Sequence, residues 1–175
     1  MKTTKTMVLA ALCVALGIVL PMAFHSVPNA GSIFLPMHIP VLLCGLICGP
    51  VWGVLCGAAT PLLSSLITGM PPMAYLPGML CELAVYGLCS GLLMMLLKKA
   101  NPIVQVYGSL LGAMVAGRFV AGVLNALIFR AGAYSMQIWL TASFATALPG
   151  IIIQVVAIPL LLAGLYKANL VRRVS

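Results

Sequence analysis

The sequence predicts an all-α integral membrane protein: a single domain, residues 1–175, of six transmembrane helices, with both termini cytoplasmic and a ligand pocket facing outward. Three observations carry this expectation. The chain is 63% hydrophobic and 6% charged, with a mean hydropathy of +1.23. A soluble domain carries about 25% charged residues, so too little polar surface exists here to cover a globule in water. Apolar runs cover approximately 6–24, 38–49, 51–68, 75–97, 103–129 and 142–166, and about 20 such residues in a helix cross a bilayer. The basic residues gather at the ends of these runs: Lys2 and Lys5, then Lys98 and Lys99, then Lys167, Arg172 and Arg173. With the N-terminus inside, six spans bring those seven of the nine basic residues into the cytoplasm, as the positive-inside rule requires. The net charge of +8 is therefore a set of flanking clusters and not the stripe that marks a nucleic-acid partner.

The elements follow in order. The stretch MKTTKTMVLAALCVALGIVL has an apolar core longer than the ~7–15 residues of a signal peptide and reads as the first span. An outer connection, 25–37, carries His25, Asn29 and Ser32. The run 38–49 is short and ends at Gly49-Pro50, a turn signal rather than a helix interior. Residues 38–68 therefore read as a helical hairpin with a tight inner turn, the alternative being one span plus a re-entrant piece. The next outer connection, 69–74, lies in GMPPMAYLPG, whose prolines restrict the backbone. Met70, Pro71 and Pro72 suit either a stiff gating loop at the mouth of the bundle or an ordinary turn. The last outer connection, 130–141, carries Arg130, Tyr134, Ser135 and Gln137. Glycines four apart, such as Gly45 and Gly49, Gly53 and Gly57, or Gly87 and Gly91, have the spacing that lets helix backbones approach closely in lipid.

Polar residues inside the spans are the candidate site. Glu82 is the only acidic residue of the chain, and Arg118 sits mid-run. Each costs roughly 2.5–3.5 kcal/mol on insertion scales, which is tolerable if it faces the protein interior, a polar ligand, or the other. Glu82 falls about 10 Å below the outer end of its span and Arg118 about 16 Å below the end of its own, counting from the helical rise. Asn125 lies two turns above Arg118 on nearly the same face, Gln154 is mid-span in the sixth run, and Tyr75 and Tyr86 flank Glu82. These groups converge if they share one outward cavity. The fork of donors on Arg118 suits a carboxylate or phosphate, and Glu82 suits a hydroxyl, amide or ring nitrogen. The alternative is a buried Glu82–Arg118 pair that only sets helix register. His38 stands at the outer entrance of the second span between Pro36 and Pro40, as a ligand contact or an interfacial residue. Trp52 and Trp139 are expected to mark membrane interfaces.

Catalysis is poorly supported. Group transfer needs paired acids, an activated nucleophile or a metal, and the chain offers one carboxylate and two histidines. Six cysteines all lie in apolar runs and read as small buried hydrophobes. No Walker-type glycine loop is present, and neither a cofactor nor a metal is expected.

The run FLPMHIPVLLCGLICGPVWGVLCGAATPLLSSLITGMPP, followed by CELAVYG and GRFVAGVLN, resembles the substrate-binding S components of energy-coupling factor (ECF) transporters. The resemblance extends from the first span to the basic tail. It implies a multi-pass subunit of a bacterial cell membrane that captures a water-soluble vitamin from outside. It further implies assembly with a transmembrane scaffold (T) subunit and two cytoplasmic ATPases that supply the work. In the family an Ala-x-x-x-Ala motif of the first helix meets the scaffold, and Ala11-Leu-Cys-Val-Ala15 matches it. Metal-transporting members carry an N-terminal metal-binding extension, whereas this chain starts MKTTKTM without histidine. Few aromatics argue against a large flat ring held by stacking. Pantothenate or a pyridoxine-like vitamer fits Arg118, Glu82 and Asn125 best. The rival readings are a self-sufficient small permease and a structural scaffold without ligand.

Overall fold

Each long apolar run becomes a helix in the structure, a computed structural model that describes residues 3–23, 29–129 and 135–171. Lys2, His25, Arg130, Tyr134, Arg172 and Arg173 lie outside the described residues. Helix α1 runs Thr3–Ala23, a short α2 Ala30–Phe34, α3 His38–Cys48 and α4 Pro50–Thr68. Helix α5 spans Leu76–Leu96 and passes through a 3-10 turn, Leu97–Lys99, to α6, Pro102–Leu124. A π-helical turn, Asn125–Phe129, extends α6. After it come α7, Met136–Leu140, a second π-helical turn, Thr141–Thr146, and α8, Leu148–Lys167. Among the described residues, six helical stretches are long and apolar enough to cross a membrane. The protein is a multi-pass, all-helical membrane protein.

The hairpin of α3 and α4 forms through one residue. Gly49 sits at φ 90°, a conformation that costs a residue with a Cβ but not glycine. Its N–H closes α3 on the carbonyl of Gly45 at 3.0 Å, and Pro50 opens α4 with the fixed φ that suits a first turn. Asn101 starts α6 by accepting a hydrogen bond from the Ile103 N–H at 3.0 Å. The sixth run begins later than the sequence suggests. Pro149 has no N–H and its ring clashes with the preceding turn, so α8 starts afresh at Leu148 and residues 141–146 form a separate π turn. The connection 25–37 is likewise not all loop, because α2 occupies part of it.

Helix α3 is the axis of the bundle. It packs against α1, α4, α5, α6 and α8, and nine of its eleven residues are buried. A helix apolar and buried all round belongs to a core, which explains how so short a segment persists in a membrane protein. Around it, α1, α4, α6 and α8 turn Val8, Leu66, Phe119 and Leu160 outward to the lipid.

A close backbone contact joins α4 to α5. A Cβ on Gly53 would collide with the carbonyl of Gly87, and one on Gly87 with the carbonyl of Gly53. Gly57 meets Leu83 in the same way, and Gly91 meets the Gly49-Pro50 turn. Glycine at these positions lets dispersion contacts accumulate between backbones where lipid offers no hydrophobic drive. The basic residues Lys5, Lys98, Lys99 and Lys167 lie at the α1 start, the α5–α6 turn and the α8 end, one end of the bundle. The positive-inside rule makes it the cytoplasmic end, and α2, the α4–α5 loop and α7 lie at the outer one.

Gly87→Leu is expected to destabilise the protein by about 1–3 kcal/mol or more, since backbone must move to admit the side chain. Gly164→Ala, where an added Cβ meets nothing within 4 Å, is expected to stay within about 0.5 kcal/mol of the parent. Denaturant titration in detergent, followed by circular dichroism, reads the difference.

Candidate functional site

Glu82 and Tyr86 lie four residues apart on α5 and so share one face. That face meets the first turn of α3, where His38 begins the helix. His38 Nε2 stands 3.8 Å from Glu82 Oε1, and the His38 and Tyr86 rings meet edge to face with centroids 5.3 Å apart. On the opposite side of Tyr86 lies α6. Gly117 leaves room there for the Tyr86 ring, which a Cβ would overlap. With the ring seated against α6, Arg118 Nε donates a hydrogen bond to the Tyr86 hydroxyl at 2.9 Å. Tyr86, His38 and Arg118 are 0%, 3% and 4% exposed, so this row of groups is out of contact with solvent, while the Glu82 side chain keeps 23% exposure. The cluster therefore has one accessible edge, at the carboxylate.

The structure brings the one acid and the one base inside the spans to the same tyrosine, Tyr86. Among the described residues the ion-pair partner of Glu82 is His38, and Arg118 reaches Tyr86 instead of the carboxylate. Among the described residues Glu82 and Arg118 form no direct ion pair; the guanidinium takes the Tyr86 hydroxyl and the carboxylate takes His38.

The connection between α6 and α8 covers Arg118. Trp139 Nε1 donates to the Arg118 carbonyl at 3.2 Å, and Gly122, one turn on from Arg118, makes room for the indole. Phe144 presents its ring to the guanidinium, 5.7 Å from Cζ to centroid, and stacks edge to face with Trp139 at 5.6 Å. A cation over an aromatic face is attracted by the ring quadrupole. Neither aromatic was among the candidate site residues. Trp139 was expected to mark an interface, and periodicity carries no signal for a contact made by a connecting segment. The small residue at Gly122 and the cation at Arg118, one helical turn apart, are the only hints that an indole docks there.

The remaining candidates separate into those near the cluster and those apart from it. Asn125 donates from Nδ2 to the Ala121 carbonyl at 2.7 Å, and its carboxamide rests on Gly78, one turn above Glu82. Gln154 is fully buried on α8, and neither of its amide atoms has a protein partner. It lies about 9 Å from the outer start of α8 by helical rise, the depth of Glu82 on α5. Arg118 Nη1 and both ring nitrogens of His38 also lack a hydrogen-bond partner. Tyr75 is exposed at the start of α5, two turns above Glu82. Met70, Pro71 and Pro72 form a turn held to the end of α4: Ser64 Oγ donates to the Met70 carbonyl at 2.7 Å and Ser65 Oγ to the Pro71 carbonyl at 2.9 Å. Ala11 and Ala15 are exposed on α1, far from the cluster in sequence and on the outward face of the helix.

Residues 5–162 match the family described as ECF transporter, substrate-specific component. No curated protein and no solved structure matches the chain.

Removing the Tyr86 hydroxyl would leave a second donor of a buried guanidinium without a partner. Tyr86→Phe is expected to cost about 1–3 kcal/mol of stability. The loss should shrink when Arg118→Met removes the charge as well, because the unpaired donor goes with it. A double-mutant cycle of unfolding free energies measures the coupling.

Proposed function

The chain belongs to the family of ECF transporter substrate-specific components, and we propose that its cluster of His38, Glu82, Tyr86 and Arg118, together with Gln154 at a similar depth on α8, captures a small anionic vitamin for uptake into a bacterial cell. As a substrate-specific component it is a transport subunit. Membership implies partnership with a transmembrane scaffold subunit and ATPases, and with a small-molecule substrate.

One observation carries the proposal. Buried hydrogen-bonding groups are nearly always paired, yet Arg118 Nη1, His38 Nδ1 and the whole Gln154 amide have no hydrogen-bond partner, and His38 Nε2 has only the 3.8 Å ion-pair contact with Glu82. All belong to the outer half of the bundle. A ligand carrying one anionic group and neutral donors or acceptors would satisfy them together. Arg118 keeps Nε on Tyr86 and offers its remaining donors to a carboxylate or phosphate. Glu82 and Asn125 would take hydroxyl or amide groups, and Gln154 can both donate and accept. Pantothenate combines a carboxylate, an amide and hydroxyls in this way, and a pyridoxine-like vitamer is the second fit. Tyr75 and the Met70–Pro72 turn would form the rim. The hydrogen bonds from Ser64 and Ser65 favour a fixed rim there over a swinging lid, and the moving part is better sought in Trp139 and Phe144, which cover Arg118. The substrate's anion would take the place of the Phe144 ring on the guanidinium.

Docking to the scaffold would use α1. Ala11 and Ala15 are exposed one turn apart, and small side chains there permit the close helix approach that membrane interfaces favour.

Mass spectrometry of molecules released from purified protein, followed by titration, should identify a single vitamin at near one-to-one. Arg118→Ala is expected to weaken its binding by about 30-fold or more, the usual range for removing one partner of a buried charged contact. In a Trp52→Phe background Trp139 is the only tryptophan, and its fluorescence should change on ligand addition. Binding of no vitamin across a panel would overturn the capture site and leave the cluster as a structural device. Ala11→Trp or Ala15→Trp is expected to abolish co-purification with the scaffold subunit while leaving vitamin titration unchanged.

A further inference from the structure

A second feature lies at the cytoplasmic end, far from the capture cluster. A groove runs between the start of α6 and the end of α8, floored by Met94 of α5 and walled by Ile103, Val106, Leu162 and Ala163, with Tyr166 at its mouth. Two sequence features open it. Pro159 interrupts the hydrogen-bond ladder of α8, and Ala163 is too small to close the gap one turn further on. The floor is apolar because Gln105 Nε2 already donates to the Met94 carbonyl at 2.9 Å. From Pro159 to Tyr166 the groove follows α8 for about 10 Å.

Charge decides what lies in it. Lys98 and Lys99 are exposed in the turn that leads directly to Pro102, a residue of the groove. Lys167 is exposed next to Tyr166. The only carboxylate side chain of the protein, Glu82, sits at the other end of the bundle. Three exposed lysines thus lie in the segments next to an apolar groove, with no acidic side chain at that end to neutralise them. At this level of a membrane the available anions are lipid headgroups, and basic sites between helices on the cytoplasmic side recognise them.

We propose that the groove between α6 and α8 binds one anionic phospholipid of the cytoplasmic leaflet. Its acyl chain lies along Val106, Leu162 and Ala163, and its phosphate is held by Lys98, Lys99 and Lys167. The proposal is independent of the capture site: no residue is shared, and binding of one ligand does not require the other.

The test is native mass spectrometry of the full chain purified in detergent and equilibrated with equal amounts of phosphatidylglycerol and phosphatidylcholine. The expected result is one retained phosphatidylglycerol in preference to phosphatidylcholine. Each lysine changed to glutamine should cut that preference by about fivefold, and Ala163→Trp, which fills the groove, should abolish the retained lipid. Circular dichroism confirms that the variants fold, and the exposed lysine variants keep the test decisive if Ala163→Trp does not. Equal retention of the two lipids, or retention unchanged by both the lysine and the groove-filling variants, overturns the proposal. So does displacement of the lipid by excess inorganic phosphate, which would show that the lysines bind phosphate without the groove. Unchanged lipid retention together with lost assembly into the transporter complex would instead make the groove a protein-docking surface.

Discussion

The guanidinium of Arg118 is 4% exposed in a chain whose only acid, Glu82, makes its ion pair with His38, and the arrangement of the outer half follows from that constraint. Desolvating an ion is costly unless polar groups replace its water. Here the replacement is built from neutral groups: the Tyr86 hydroxyl on Nε and the Phe144 ring over Cζ. Each requires a neighbour to yield space. Gly117 admits the tyrosine ring, and Gly122 admits the indole that braces Phe144. Only part of the fork is thereby satisfied. A guanidinium fully paired by a carboxylate would be closed to other anions, whereas one held by a hydroxyl and an aromatic face retains donors and positive potential for a ligand.

The same economy of space fixes the second half of the cluster. His38 can stand beside Glu82 because α3 is short and begins deep in the bundle, and α3 can be short because it is enclosed by five helices. That enclosure depends on the contact between Gly53 and Gly87, which draws α4 onto α5, and on Gly49, which turns the chain between α3 and α4 in one residue. Packing at the cytoplasmic half and polarity at the outer half are thus one construction. Changes to the glycine seam would tilt α5 and with it both Glu82 and Tyr86.

Much of this was legible in the sequence, and the limits are physical. The six apolar runs gave the spans because a bilayer imposes a minimum length on any helix that crosses it. The bounds of the short second span were readable from Gly49-Pro50, since both residues have narrow backbone preferences. Glu82, Arg118 and Tyr86 were identifiable as a group because polar residues in apolar runs are rare. Their pairing was not readable. Which of two groups on α5 reaches Arg118 depends on the rotation of α5 against α6, and that is decided by a glycine beneath the tyrosine ring, not by spacing along either helix. Trp139 and Phe144 were missed for a related reason. They sit in a connection whose periodicity is broken by two π-helical turns, and nothing local to it reports the cation they cover. The start of α8 was placed too early because an apolar run does not register where Pro149 ends the preceding helical turn.

The distribution of satisfied and unsatisfied polar groups bears on whether the bundle conducts or captures. A conducting path needs polar groups along the whole thickness, available to a passing solute. In the cytoplasmic half, the buried polar side chains spend their donors inside the protein: Gln105 on Met94, Ser90 on the Gly87 carbonyl, Ser109 on the Met94 sulfur. Among the described residues, the buried side-chain nitrogen and oxygen atoms left without hydrogen-bond partners belong to His38, Arg118 and Gln154, all in the outer half. A solute that satisfied them would meet below it an apolar, glycine-sealed seam with nothing to exchange for its contacts. Such a gradient would stabilise a solute at one depth and oppose its passage, and the bundle by itself is therefore better suited to capture than to conduction.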